Sequence, residues 1–228
     1  MKNYLFLSLT GTLITKDSLK NHMEKIAPDE KEKELQKVTA EPYFLPCAPE
    51  AITQLNNIIR SHQFNIVITD MKQYMVLAEV VQKLVDDGFA YPESIIGSTI
   101  DISMLRCGLK FHNLELTPLI MCSGDAIRHW IENWIEKPYM TNPALVEEYQ
   151  YFEELPATEQ TGLRVVKDGD EHKKVRKFRA DKEGKDFQYL IVSDDNDILA
   201  KQMDNFIVTD YNHGLTAEVA RKIAIRYA

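Results

Sequence analysis

Seven side chains that could handle phosphate or a hard cation fall at or just past the ends of three apolar runs. Ser8 and Thr10 follow Tyr4-Leu5-Phe6-Leu7. Thr69 and Asp70 close Asn65-Ile66-Val67-Ile68, and Asp194, Asp195 and Asp197 follow Tyr189-Leu190-Ile191-Val192-Ser193. Hydroxyls can hold phosphate, and carboxylates bind hard cations when they converge. Each residue also has a purely structural use. Ser8 and Thr10 can bond local backbone, Thr69 can close a strand–helix turn, and the three acids can be surface groups turned by Asn196.

Two further sets carry chemistry. Cys47, Cys107 and Cys122 are potential nucleophiles with His112 and His129 as bases. Such a pair is defined by spatial geometry, and the expectation is buried, inert thiols that pack as small hydrophobes. Lys173, Lys174, Arg176, Lys177 and Arg179 form a basic stretch that could grip a phosphate backbone. Asp168, Asp170, Glu171, Asp181, Glu183 and Asp186 surround it and offset its field. A solvated hairpin or a patch for an acidic protein partner is therefore the expected use.

The elements that must position these residues alternate between strand and helix, the pattern of a parallel sheet covered on both faces. Tyr4–Leu9 is a buried strand by its continuous apolar character. Residues 17–40 read as short charged helices, with Asp17 as N-cap, a break at Pro28 and Asp29 capping the second. Pro49–His62 is a helix with Ile52, Leu55, Ile58 and Ile59 on one face. It feeds a strand at Asn65–Thr69. Tyr74–Asp87 is a helix with Leu77, Val80, Val81 and Leu84 as its stripe and Gly88 as its stop.

A short strand is expected at Ser94–Gly97 and loop from Cys107 to Cys122. A helix then starts at Ser123-Gly124-Asp125, with Trp130 and Trp134 as core anchors. Residues 140–186 form an insertion. In it, Leu163–Lys167 and Lys174–Phe178 flank Asp168-Gly169, a hairpin signal. The segments are thus 1–139 with its charged stretch 17–40, the insertion 140–186, and 187–228.

The chain has 228 residues, enough for one substantial core with a small accessory module. Its net charge of −8 argues against nucleic acid or anionic membranes as targets of the whole molecule. Three cysteines form no disulfide framework and suit a reducing compartment. The apolar start is interrupted at Thr10-Gly11-Thr12, unlike a signal peptide. No run reaches the ~20 apolar residues of a membrane span. Cytoplasmic residence without membrane insertion is expected.

Ser8-Leu9-Thr10-Gly11-Thr12-Leu13 after its apolar run resembles the opening of the haloacid dehalogenase (HAD) superfamily, where a buried strand ends in Asp-x-Asp-Gly-Thr-Leu. The run ending at Thr69 resembles the second HAD motif, and that ending in Asp194-Asp195-Asn196-Asp197 the fourth. Phe206–Asp210 followed by Gly214-Leu215-Thr216 and a last helix is most similar to the HAD domain of multidomain RNA-repair proteins. The resemblance covers roughly residues 3–135 and 187–228. It implies a three-layer, Rossmann-like α/β fold, here with an inserted β-hairpin module.

The resemblance also implies a test of the chemistry. A HAD phosphatase uses one Asp to attack phosphorus and a second to move protons. A Thr or Ser and a Lys hold the phosphate, and acids after the fourth strand help bind magnesium. In this chain Ser8 and Thr10 replace the two aspartates. Met121-Cys122-Ser123-Gly124 stands where the lysine is expected, Lys110 being too far upstream. Thr69 and the acids Asp194, Asp195 and Asp197 match.

A seryl phosphate would be an ester with a poor alkoxide leaving group, and Ser8 would need a base that the matched motifs lack. The expected function is therefore a catalytically inactive HAD-like pseudoenzyme, a protein-binding or scaffolding subunit of a larger assembly. A protein partner and no cofactor are expected. The rival reading is a divergent magnesium-dependent phosphoryl hydrolase in which Asp70 supplies a relocated carboxylate beside Asp194, Asp195 or Asp197. A third is an RNA-binding accessory protein using the basic stretch.

Overall fold

The computed structural model describes residues 2–40, 43, 45–71, 75–99, 122–136, 146–151, 174–178 and 187–227. The chain divides into two compact units, Met1–Arg128 with Phe187–Ala228, and His129–Asp186. The first is α/β: a five-stranded, all-parallel sheet flanked by helices. Its strands are β1 (Lys2–Leu7), β2 (Asn65–Ile68), β3 (Ile95–Ser98), β6 (Phe187–Ser193) and β7 (Phe206–Val208), in the order β3-β2-β1-β6-β7. The second unit contains β4 (Val146–Tyr151) and β5 (Lys174–Phe178).

The run that forms β1 is apolar because it is the central strand. It pairs along Tyr4↔Asn65 to Leu7↔Ile68 on one side and Lys2↔Phe187 to Leu7↔Val192 on the other. Successive side chains of a strand point to opposite faces. Leu5, Leu7, Ile66, Ile68, Leu190, Val192 and Ile207 belong to one core with helices α3 (Pro49–His62), α4 (Leu77–Asp86) and α6 (Ala217–Arg226). Ile52, Leu55, Ile59, Val80, Leu84 and Ile223 are the buried helix faces of that core. Phe6, Val67 and Ile191 on the other face are buried too. There Tyr4 meets Phe187 and Phe6 meets Tyr189, both edge to face.

Local chemistry explains the helix limits. Pro49 opens α3 at a position where its missing N–H costs nothing. Gln63, in the left-handed region at φ 50°, ends that helix with its N–H on the Ile59 carbonyl. α1 (Lys16–Glu24) is capped by Thr15 rather than the expected Asp17. The Thr15 and Ser18 side chains each take the other's backbone N–H, a capping box, and Asp17 sits in the first turn. Asp29 lies two residues before α2 (Lys31–Ala40), whose first turn closes with the Glu34 N–H on the Glu30 carbonyl.

α5 (Ser123–Trp130) continues into a π-helical turn over Ile131–Glu136. Trp130 is buried as expected. Trp134 is not a core anchor: it is 56% exposed and stacks on Trp130 at 6.3 Å. The arm Lys174–Phe178 of the expected hairpin is a strand, and the partner it has is β4, antiparallel from Val146↔Phe178 to Tyr151↔Lys174. The other arm, 163–167, and the Asp168-Gly169 turn lie outside the described residues, as does most of 107–122. Among the described residues, no helix is long and apolar enough to cross a membrane.

The loops after β1 and β7 are sewn together across almost the whole chain length. The Leu215 N–H donates to the Thr12 carbonyl at 2.9 Å and the Lys16 N–H to the Tyr211 carbonyl at 3.0 Å. Thr209 spends its hydroxyl hydrogen on the Gly11 carbonyl at 3.0 Å, so Thr12 is the donor in the 3.1 Å bond between the two buried hydroxyls. Gly214 makes this approach feasible: its φ is +68°, and a Cβ there would overlap the Thr12 carbonyl. Gly214→Ala is expected to lower stability by at least about 1–2 kcal/mol, the cost of a left-handed residue with a Cβ. Urea unfolding of the variant measures it, and an unchanged midpoint would refute this account of the turn.

Candidate functional site

The chain leaves β1 for β2 and β3 on one side and returns to β6 and β7 on the other. The carboxyl ends of β1 and β6 therefore border the crevice at which an open parallel sheet binds ligands. Ser8, Thr10, Asp70 and Asp194 come together here. Asp195 and Asp197 lie in the same loop after β6 but face other tasks.

Asp70, just past β2, reaches over to the loop after β1. Its Oδ1 accepts the Leu9 N–H at 2.8 Å and its Oδ2 the Thr10 N–H at 2.9 Å. The Ser8 hydroxyl has one hydrogen and two acceptors in reach, the Thr10 carbonyl at 2.8 Å and Asp70 Oδ2 at 3.2 Å. Successive N–H groups aimed at one point form a small anion site. In this chain the anion is the protein's own carboxylate.

Asp194 lies against Gly11, whose missing Cβ leaves the room: a Cβ at that position would overlap the Asp194 carboxylate. Burial pushes the Asp194 carboxyl above its ordinary range, and the negative charges of Asp195 and Asp70 push it the same way. The other two acids are committed locally. Ser193 Oγ accepts the Asp195 N–H at 3.1 Å, and Asp195 Oδ1 accepts the Asp197 N–H at 3.0 Å. Asp197 Oδ2 in turn accepts the Ser123 N–H at 3.3 Å at the start of α5. The expected cluster is thus a pair of Asx-type turns ending in a helix cap.

Thr69 continues the sheet, its N–H on the Leu7 carbonyl at 3.0 Å and its carbonyl accepting the Thr99 hydroxyl at 2.9 Å. At the position expected for the lysine, the first residues of α5 dock on the loop after β6. The Gly124 N–H donates to the Asp197 carbonyl, and buried Gln202 bridges the Gly124 carbonyl and the Leu199 N–H, each at 3.0 Å. A Cβ on Gly124 would overlap Leu199 and Gln202. The sequence reading missed Gln202, which stands in a polar stretch with no motif to mark it.

The magnesium that the HAD resemblance implies does not fit these donors well. Both Asp70 oxygens hold backbone N–H groups, and Asp195 and Asp197 each spend an oxygen on a turn or cap. Among the described residues no group of three or more His, Cys, Asp or Glu side chains could hold a metal ion. The thiols are equally quiet. Burial pushes the Cys47 thiol up to about 12 and raises Cys122, so both rest protonated at neutral pH. Cys107 and His112 lie outside the described residues, as do Lys173 and Arg179. Lys174, Arg176 and Lys177 stand on β5 opposite Tyr151, Tyr149 and Glu148.

No family model, no curated protein and no solved structure matches the chain.

Two outcomes follow from the crevice. Asp70→Ala leaves the Leu9 and Thr10 N–H groups without their acceptor and should cost on the order of 1–3 kcal/mol, read by urea unfolding. For Asp194 the folded state holds its proton more tightly than the unfolded chain. Its ionisation therefore removes stability as pH rises from the ordinary value of 3.8 through the raised one. Asp194→Asn should melt higher than the wild type at pH 7, and the difference should vanish below pH 3.8. A melting temperature unchanged or lowered at pH 7 would contradict the raised pKa.

Proposed function

We propose that this chain is a catalytically inactive HAD-like protein that serves as a protein-binding or scaffolding subunit of a larger assembly. The observation that carries the reading is the Asp70 carboxylate on the Leu9 and Thr10 N–H groups. A phosphate entering the crevice would find those donors taken. It would also meet the negative charges of Asp70 and of ionised Asp194 at short range in a partly buried site, where repulsion is weakly screened. The two positions that would do covalent and proton-transfer chemistry in a HAD phosphatase hold Ser8 and Thr10. Ser8 has the Thr10 carbonyl as its nearer acceptor.

The helical pair α1 and α2 favours a contact role. Among the described residues Ser18 of α1 and Val38 of α2 are buried and Leu19 packs against the core, while most of the other side chains are solvated and charged, with Leu35 exposed among them. Such a pair adds little to the core and offers a broad surface. The insertion with the basic strand β5 is the second candidate surface.

The rival phosphoryl hydrolase has one observation in its favour. Asp194 is a partly buried acid repelled by Asp195 and Asp70, and a divalent cation would relieve that repulsion. Calorimetric titration with magnesium, paired with a generic phosphatase assay, separates the two readings. The expected outcome is no saturable heat and no turnover above the blank. Magnesium binding and turnover that Asp194→Asn abolishes would sink the pseudoenzyme reading. The scaffold half is tested by affinity purification from native cells. A partner present in stoichiometric amount should be lost when Lys31, Lys33 and Lys37 of α2 are changed to Glu.

A further inference from the structure

On the core side of the β1 loop lies a cavity of about 250 Å³. Leu9 and Ile14 of that loop form one wall, and Met75, Val76, Val80 and Leu84 from the start and face of α4 form the other. Its polar fringe is small. Lys83 already donates to Asp87 Oδ2 at 2.6 Å and approaches Cys47 Sγ at 3.5 Å, so its charge is balanced inside the protein. Asp87 also accepts the Cys47 N–H at 2.9 Å. Glu79 stands exposed at the fringe, one helical turn before Lys83.

We propose that this cavity binds a compact, neutral, largely apolar molecule of the size of a bicyclic aromatic, with one hydrogen-bond donor directed to Glu79. The size follows from proportion: an apolar cavity of roughly 150 Å³ stays dry and takes up benzene. The same ratio gives about ten non-hydrogen atoms for this one. The neutrality follows from the lining. An anionic head would have to compete with Asp87 for Lys83, and a fully charged ligand would lose its hydration against walls that, with Tyr43 and Cys47 among them, are mostly apolar. The class is non-covalent, because the Cys47 thiol on the wall is held protonated by burial. The largely preformed, mostly apolar cavity with few polar groups is the usual form of a small-molecule site. This inference is independent of the pseudoenzyme reading, since the cavity shares only the Leu9 wall with the strand-end crevice.

Indole is the probe, with nine non-hydrogen atoms, close to the estimate of about ten, and one N–H donor. Calorimetry should show saturable one-to-one binding to the full chain. Bound indole should slow the reaction of Cys47 with methyl methanethiosulfonate, which forms a mixed methyl disulfide on the sulfur and releases methanesulfinate, read by mass spectrometry of the Cys47 peptide. Val76→Phe is the blocking variant. Val76 lines the cavity and is 53% exposed, so a larger side chain is accepted there without a packing penalty. It should weaken indole binding by at least about tenfold, a change readily resolved in Kd. Three results would overturn the assignment. They are heat that does not saturate, Cys47 disulfide formation that proceeds at the same rate with and without indole, or equal affinity in a folded Val76→Phe variant. If that variant does not fold, Cys47 protection in the wild type decides alone.

Discussion

A single carboxylate, that of Asp70, fixes how the chain leaves its central strand. β1 ends in a buried position, and the loop after it must turn sharply while its N–H groups have lost their sheet partners. Two of those groups, on Leu9 and Thr10, end on Asp70. Buried backbone donors are seldom left unpaired, and charge-assisted bonds are the stronger kind. With that loop held, the bonds further along it fall into place. The Leu13 and Ile14 N–H groups return to the Leu9 carbonyl, the Ala48 N–H reaches the Leu13 carbonyl at 2.7 Å, and Leu215 reaches Thr12. The start of α3 and the turn before α6 are thus tied to the same short loop.

The sheet supplies the rest of the stability in a simpler way. Every residue from Leu5 to Leu7 and from Ile66 to Ile68 is fully buried. The hydrophobic gain of such burial runs at roughly 25 cal/mol per Å² of apolar surface. A parallel sheet buried on both faces needs this composition. It also explains why polar chemistry is confined to the strand ends, where the apolar runs stop and the first hydroxyls and acids appear.

Those runs made much of the fold legible. α3 spans Pro49–His62 as the proline and the Ile52, Leu55, Ile58, Ile59 stripe indicate, and β2 ends at Ile68, one residue before the expected Thr69. Two of the misses share one cause: a residue type with two uses was assigned the wrong one. Asp17 is a good cap type, but Thr15 two residues earlier has Ser18 to complete the reciprocal box. Trp134 keeps the helical spacing of the core stripe yet stays exposed, where the helix has passed into a π-helical turn. The strand-end acids are a ligand set by composition, and their spacing carries a second signal as well. The spacing of two in Ser193, Asp195 and Asp197 is that of consecutive Asx-type turns, which link a side chain to the N–H two residues on. Gln202 and the packing role of Gly124 left no trace in local pattern, since both depend on a segment more than seventy residues away.

Once the turns and caps are accounted for, the strand-end charges are not equivalent. Asp70, Asp195 and Asp197 each accept at least one backbone N–H that the fold requires. Asp194 presses on the one glycine of the β1 loop and is repelled by two neighbours, so its charge works against the folded state. A carboxylate kept under such conditions is the most sensitive point of the crevice. Gly11 ties Asp194 to the loop that Asp70 holds, because the carboxylate occupies the space that a Cβ on Gly11 would fill.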